Sequence, residues 1–329
     1  MRKLRQFITL AGLTSLEAIR QPICLLLATT CVVLTGLVPM LTMHQFGEQG
    51  RLARDSGLAL HFVFGLLISG YIASTSLNRE MKSGTASAVL SKPVSRVMFF
   101  LSKFAGIVFV IILFSLCATI STLLSERIAE KFQTSGTAYG YVTDWRTGII
   151  LLCTPFAAYL LAGFLNYKIK TPFESTAFAL LLLSLIGIVI ASCFYERSGH
   201  ASSFTFIFQW SIINASVLIT IALLIISAIA ISLSTKLETI PTMSITSAIF
   251  LIGLISDYAF GRPMMEGNLL CGFLFGVSPN FQHFWLSDAI SDGGVIPSDY
   301  VLSAARYAAV YSAGILCLGV LSFRQSDMT

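Results

Sequence analysis

The chain has 329 residues, of which 55% are apolar and 11% charged, with a net charge of +5, and its mean hydropathy is +0.82. Soluble domains carry about 25% charged residues, and so apolar a chain cannot cover a water-facing surface with polar groups. This excludes a soluble globular enzyme and indicates an all-α polytopic membrane helix bundle; the small, scattered charge excess gives no footprint for nucleic acid.

The chain opens with "MRKLRQFITLAGLTSLEAIRQP". Leu4, Phe7, Ile8 and Ala11 recur at helical spacing behind Arg2, Lys3 and Arg5, which predicts an amphipathic interfacial helix over 1–22. Pro22 separates it from the first apolar run. That run begins near Ile23 and is too long for the apolar region of a signal peptide, so no cleaved leader is expected.

A membrane helix needs about 20 apolar residues. Eight segments qualify: 23–43, 58–77, 98–123, 148–165, 173–194, 212–233, 243–260 and 301–322. The fourth and seventh are the shortest. An even number of spans puts both termini on one side. With the termini inside, the inner segments hold Arg2, Lys3, Arg5, Arg20, Arg79, Lys82, Lys92, Arg96, Lys103, Lys168, Lys170, Lys236 and Arg324. These are the majority of the 21 basic residues, so the positive-inside rule predicts cytoplasmic termini. The chain then divides into the interfacial helix 1–22, a transmembrane domain 23–322 and a cytoplasmic tail 323–329.

Between the second and third spans lies the loop 78–97, "NREMKSGTASAVLSKPVSRV". Residues 78–82 continue the second span, and Ser83-Gly84 breaks it. Thr85 is a candidate N-cap for a one-turn helix over 86–90, which Pro93 ends. Ser95 is placed to cap the third span. A short helix with an apolar face, joined to two spans, is a shape that a partner's groove can grip. Lys103, just inside the third span, is expected to snorkel inward.

The longest segment outside the spans, 261–300, is too apolar for a plain loop. Residues 268–277 are too few to cross, and Ser278-Pro279 can start a second short helix with Phe281, Phe284 and Trp285 on one face. An outer re-entrant helical hairpin is the expectation. "SSFTFIFQW" (202–210) reads as an interfacial segment anchored by Trp210. Asp257 and Arg306 lie near the outer ends of the last two spans and are a candidate ion pair across them.

Catalytic chemistry is missing from the sequence. It holds no GxxxxGK[ST], HExxH or GxSxG pattern, so no catalytic residue, metal ligand or cofactor site is assigned. The seven cysteines include no CxxC and read as small buried hydrophobes. Met40, Met43 and His44 read as packing at a span end. No mid-span carboxylate suggests a proton relay.

The segment "REMKSGTASAVLSKPVSRVMFFLSKFAG" resembles the loop between the second and third spans of ABC-2 type transporter permeases. Glu80, Gly84, Thr85, Pro93, Val94, Ser95, Arg96 and Lys103 match that pattern. The amphipathic first helix and the tail "SFRQSD" are similar too, and "SPNFQHFW…DAI…IPSDY" resembles the branch of multi-copper enzyme and nitrous-oxide reductase maturation permeases. The family core has six spans against eight here, so 148–194 reads as an extra hairpin.

The resemblance implies a permease subunit, and an exporter, in the bacterial inner membrane. ATP and Mg would be bound by a separate ABC ATP-binding subunit docking on the first helix and on the coupling loop. The loop residues implied are Glu80, Ser83, Gly84, Thr85, Lys92, Pro93 and Arg96. A second permease copy or paralogue and membrane lipid are the other partners implied. The competing readings are a membrane-anchoring subunit of an enzyme or envelope-assembly complex, which would need quinone, haem or metal ligands, and an ion-coupled carrier, which would need carboxylates in mid-span.

Overall fold

The computed structural model describes residues 2–42, 48–82, 95–133, 140–197, 201, 204, 208–291 and 294–325. Helix α1 (Arg2–Ile19) precedes α2 (Pro22–Leu41), whose first turn carries Pro22, a place where a missing N–H costs nothing. Then come α3 (Gln49–Lys82) and α4 (Arg96–Ile128). A two-stranded antiparallel hairpin follows, β1 (Lys131–Gln133) with β2 (Gly140–Val142), Lys131 opposite Val142. The remaining long helices are α5 (Trp145–Ile169), α6 (Phe173–Ser192), α7 (Trp210–Leu233), α8 (Thr239–Ser256) and α12 (Ser298–Gln325). Between the last two lie a π-helical turn (Asp257–Gly261), α9 (Arg262–Met265), α10 (Leu269–Val277), a 3-10 turn (Gln282–Phe284) and α11 (Ser287–Ser291).

Among the described residues, eight helices are long and apolar enough to cross a membrane, one for each expected span. Several are longer than the apolar runs. Helices α3 and α4 have 34 and 33 residues, roughly 50 Å each at 1.5 Å per residue, against a hydrocarbon core of about 30 Å. The fourth span is not short: Asp144 caps α5, and the helix runs 25 residues to a left-handed Lys170 at φ 62°. The seventh reaches 27 residues, Thr239–Met265, because the π turn carries α8 into α9 without a break.

Helices α3, α4 and α7 form the centre, with α2 beside α3 and α4 and with α12 on α7. The α5–α6 hairpin packs on α2 and α4 at one side, and α8 packs on α3. Between apolar helices in lipid, close backbone approach replaces the hydrophobic drive. Gly65 of α3 receives Leu223 of α7, and Gly319 of α12 receives Ser232 and Phe100. Exposed Phe156, Leu160, Leu251 and Val310 sit on the outer helices, as lipid-facing side chains do. Cys153 and Cys317 are exposed in this way too. Cys24, Cys31, Cys117 and Cys193 are buried, and all seven cysteines are free thiols.

The segment 261–300 differs from expectation. Helix α10 lies where a short helix was predicted, with Leu269, Leu270 and Phe273 exposed. The second expected helix is a single 3-10 turn. Phe281 N–H donates to the Gly253 carbonyl at 3.1 Å, so the chain is tied to α8 before a helix can form. Phe281 and Phe284 are buried, and Trp285 stacks on Phe62 of α3. The aromatic face is consumed by the bundle instead of dipping into lipid.

Candidate functional site

The long helices alternate in direction, which gives the bundle two ends. The terminal end carries α1, the end of α3, the start of α4, the α7–α8 turn and the end of α12. The far end carries the start of α3, the end of α4, the β-hairpin and the start of α5.

At the terminal end, Ser95 caps α4 by accepting from the Met98 N–H at 3.2 Å, as its position predicts. Arg96 turns sideways, and its Nη1 donates to the Arg324 carbonyl at 2.9 Å. A guanidinium there meets the negative end of the α12 dipole. Phe323, just before it, stacks on Phe99 at 5.9 Å and lies against Phe100. On the other side of the loop, Asn78 is buried, and its Nδ2 donates to Ser74 O and to Leu237 O of the α7–α8 turn at 2.9 and 3.0 Å. Thr235 and Ser322 share a 2.8 Å hydrogen bond.

Lys103 does not snorkel to the surface. Its ammonium pairs with Glu80 and lies over the Phe99 ring, with the side chain 5% exposed. A buried ion pair is costly to break from one side, about 3–5 kcal/mol, because the remaining charge has no water. The pair therefore clamps the last turn of α3 to the second turn of α4. Gly106, one turn further along α4, lets α1 lie against it: a Cβ there would meet Ala11 O at 2.6 Å and Thr14 Cβ at 2.7 Å.

Of the residues expected in a coupling loop, Glu80 pairs with Lys103 and Arg96 donates to the Arg324 carbonyl. Ser83, Gly84, Thr85, Lys92 and Pro93, with the one-turn helix 86–90, lie outside the described residues. The Asp257–Arg306 pair is a correction. Both side chains are exposed, and among the described residues no ion pair joins them. Asp257 sits in the π turn with its carboxylate beside Gly261. Met40 packs against Gly148 of α5, whereas Met43 and His44 lie outside the described residues.

The far end holds a charged network that sequence reasoning missed. Arg127, 1% exposed, donates from Nε to Asp144 Oδ2 at 3.0 Å and from Nη2 to Tyr195 O at 2.7 Å. Asp144 also accepts from Thr147 N and Thr147 Oγ1 at 3.0 and 2.7 Å. Glu126 pairs with Lys131, and Gln49 donates to Glu130 at 2.7 Å. Burial pulls the Lys131 ammonium below its usual range, and Glu126 opposes that shift. Arg197 is lowered by burial as well, and its Nη1 donates to Ala129 O at 3.5 Å. The available signal was the run Glu126-Arg127 followed by Asp144-x-x-Thr147, a helix end facing a helix start. In mid-span, His61 of α3 shares a 3.0 Å hydrogen bond with Ser115 of α4.

Helices α3 and α4 thus join the loop at one end to this network at the other, through continuous backbone and a packed seam. Among the described residues no group of three or more His, Cys, Asp or Glu side chains can hold a metal ion.

Compared with protein-family models, residues 20–180 match the one described as ABC-2 family transporter protein. The matched region is a little under half of the chain. It begins at the end of α1, takes in the anchored loop and the Arg127–Asp144 pair, and stops inside α6. No curated protein matches the chain.

Proposed function

We propose that this chain is the membrane-spanning permease subunit of an ABC-2 type transporter, an exporter of the bacterial inner membrane with its termini in the cytoplasm. The observation that carries the reading is the set of ties at the end of α3 and the start of α4, the two helix ends that flank the expected loop. Glu80–Lys103, Asn78–Leu237 and Arg96–Arg324 join the end of α3 and the start of α4 to each other, to the α7–α8 turn and to α12. A partner that pulls on either helix end moves packed helices. The match of residues 20–180 to an ABC-2 family model supports the same reading.

In this reading the energy comes from a separate ABC ATP-binding subunit, which holds ATP and Mg and grips the loop and α1. Two permease chains pair, each with one ATPase. ATP-driven closure tilts α3 and α4 together, because the Glu80–Lys103 clamp leaves no hinge between them. The tilt reaches the Arg127–Asp144 network at the opposite surface and opens or closes the path there. The resemblance of 278–300 to the multi-copper enzyme maturation branch makes cargo of that branch the first to assay.

The test is purification of the native complex in mild detergent with mass spectrometry of its partners. A stoichiometric ATP-binding subunit is expected. Arg96→Ala should keep the bundle folded while lowering transport-linked ATPase activity about tenfold or more, the loss of one charge-assisted anchor, and Gly84→Pro should lower it as well. A preparation with no ATPase, or with a redox or biosynthetic enzyme in its place, overturns the reading.

A further inference from the structure

At the terminal end a cavity of about 630 Å³ lies between α1, the start of α2 and the last turns of α3. Its lining brings together Arg20, Arg79, Glu17 and Gln21, with Leu13, Leu16 and Pro22 as apolar wall. Gln21 is 7% exposed, and its Oε1 is buried with no hydrogen-bond partner. Such an orphan acceptor costs about 1–3 kcal/mol unless a donor arrives. Arg20, just past α1, and Arg79 of α3 line the same space. Guanidinium is the side chain best suited to phosphate.

Pro22 in the cavity wall adjoins a lipid-facing lane in sequence: Ile23, Leu26 and Leu34 are exposed on one face of α2. Leu4, Ile8, Leu13 and Leu16 are exposed on α1, which is how an interfacial helix meets a bilayer.

We infer that this cavity is a phospholipid site that takes a phosphoethanolamine head group, with an acyl chain lying on the α2 lane. Arg20 and Arg79 hold the phosphate. The ammonium supplies the donor that Gln21 Oε1 lacks and faces the Glu17 carboxylate. Glu17 is also what sets the preference: it repels a purely anionic head group and attracts a zwitterionic one. An acidic segment of a docking protein would satisfy the arginines but not Gln21 or Glu17, and would leave the apolar lane uncovered. The site is independent of whether the chain exports anything.

The test is native mass spectrometry of the full-length chain in mild detergent after exchange into mixed phosphatidylethanolamine and phosphatidylglycerol. One phosphatidylethanolamine per chain should be retained. The pair Arg20→Gln and Arg79→Gln should lower retention about tenfold or more; both side chains are exposed, so the core is untouched. Glu17→Gln should erase the preference between the two lipids while keeping binding. Arg5→Gln, an exposed cation on the same helix outside the cavity, should change nothing. Equal retention of both lipids by the native chain overturns the inference, as does lipid loss with Arg5→Gln. So does displacement by soluble phosphoethanolamine at matched concentration, which would assign the site to a free phosphate ester. Expulsion of the lipid by an added ATP-binding subunit would assign the cavity to a protein contact and overturn it too.

Discussion

Arg127 shows how much of this chain's polar chemistry is hidden at helix ends. The residue is fully desolvated, and its stability rests on Asp144 and on the Tyr195 carbonyl. Asp144 serves two helices at once, pairing with α4 and capping α5. Asp144→Ala should therefore cost about 3–5 kcal/mol, from a stranded buried charge, plus about 1 kcal/mol from a lost cap. A clear fall in Tm in detergent is the check. Arg127→Met should be harmful alone, and the pair Arg127→Met with Asp144→Ser should recover part of the loss, since Ser still caps and no charge is left unpaired. A double-mutant cycle without coupling would remove this account of the pair. Little of it was legible beforehand, because charges at span ends read as outer-loop residues when helix ends are set by hydropathy. Glu80 and Lys103 were both singled out, but their partnership needs the antiparallel register of α3 and α4, which spacing along the chain does not contain.

At the scale of elements, the first helix was read as amphipathic, and the structure keeps it helical while using a different face. Thr14 and Ala11 O lie against Gly106 of α4, and Ser15 and Ala18 are buried beside them. Small residues let two backbones approach, and the larger Leu4 and Ile8 are left exposed. Gly106→Leu should drive α1 off α4 by forcing side-chain atoms into Ala11 O and Thr14. Trypsin cleavage after Arg20 should then speed up about tenfold, the effect of losing about 1.4 kcal/mol of docking, while the eight-helix bundle still elutes as one species. Unchanged cleavage would mean that α1 is held elsewhere. The α3–α4 pair is the complementary case. Its apolar middle and the extension of α3 through Lys82 were plain in the sequence, but the extensions at the far end, from Gln49 and to Ile128, were not, since helical backbone continues wherever a neighbour packs against it.

For the whole molecule, the alternation of eight helices puts α1 and the end of α12 on one face, and the basic residues concentrate there. Lys168→Cys at the terminal end and Tyr141→Cys at the far end are exposed positions that report this directly. In intact cells a membrane-impermeant maleimide should label Tyr141→Cys and leave Lys168→Cys at the background of the unsubstituted chain; the reverse pattern would invert the orientation. Composition and hydropathy alone determined that the chain is an all-α membrane bundle of eight spans, because about 20 apolar residues have few other stable arrangements. The helical extension through Lys82 and the Ser95 cap on α4 were likewise visible in the sequence. Only the tertiary structure decided which polar groups meet. It moved Lys103 onto Glu80, separated Asp257 from Arg306, buried Arg127 under Asp144, and folded Phe281 and Phe284 into the core. The physical reason is common to all four. Apolar segments announce themselves one at a time through solvent exclusion, whereas an ion pair or a packed ring is a property of two helices and of the register between them.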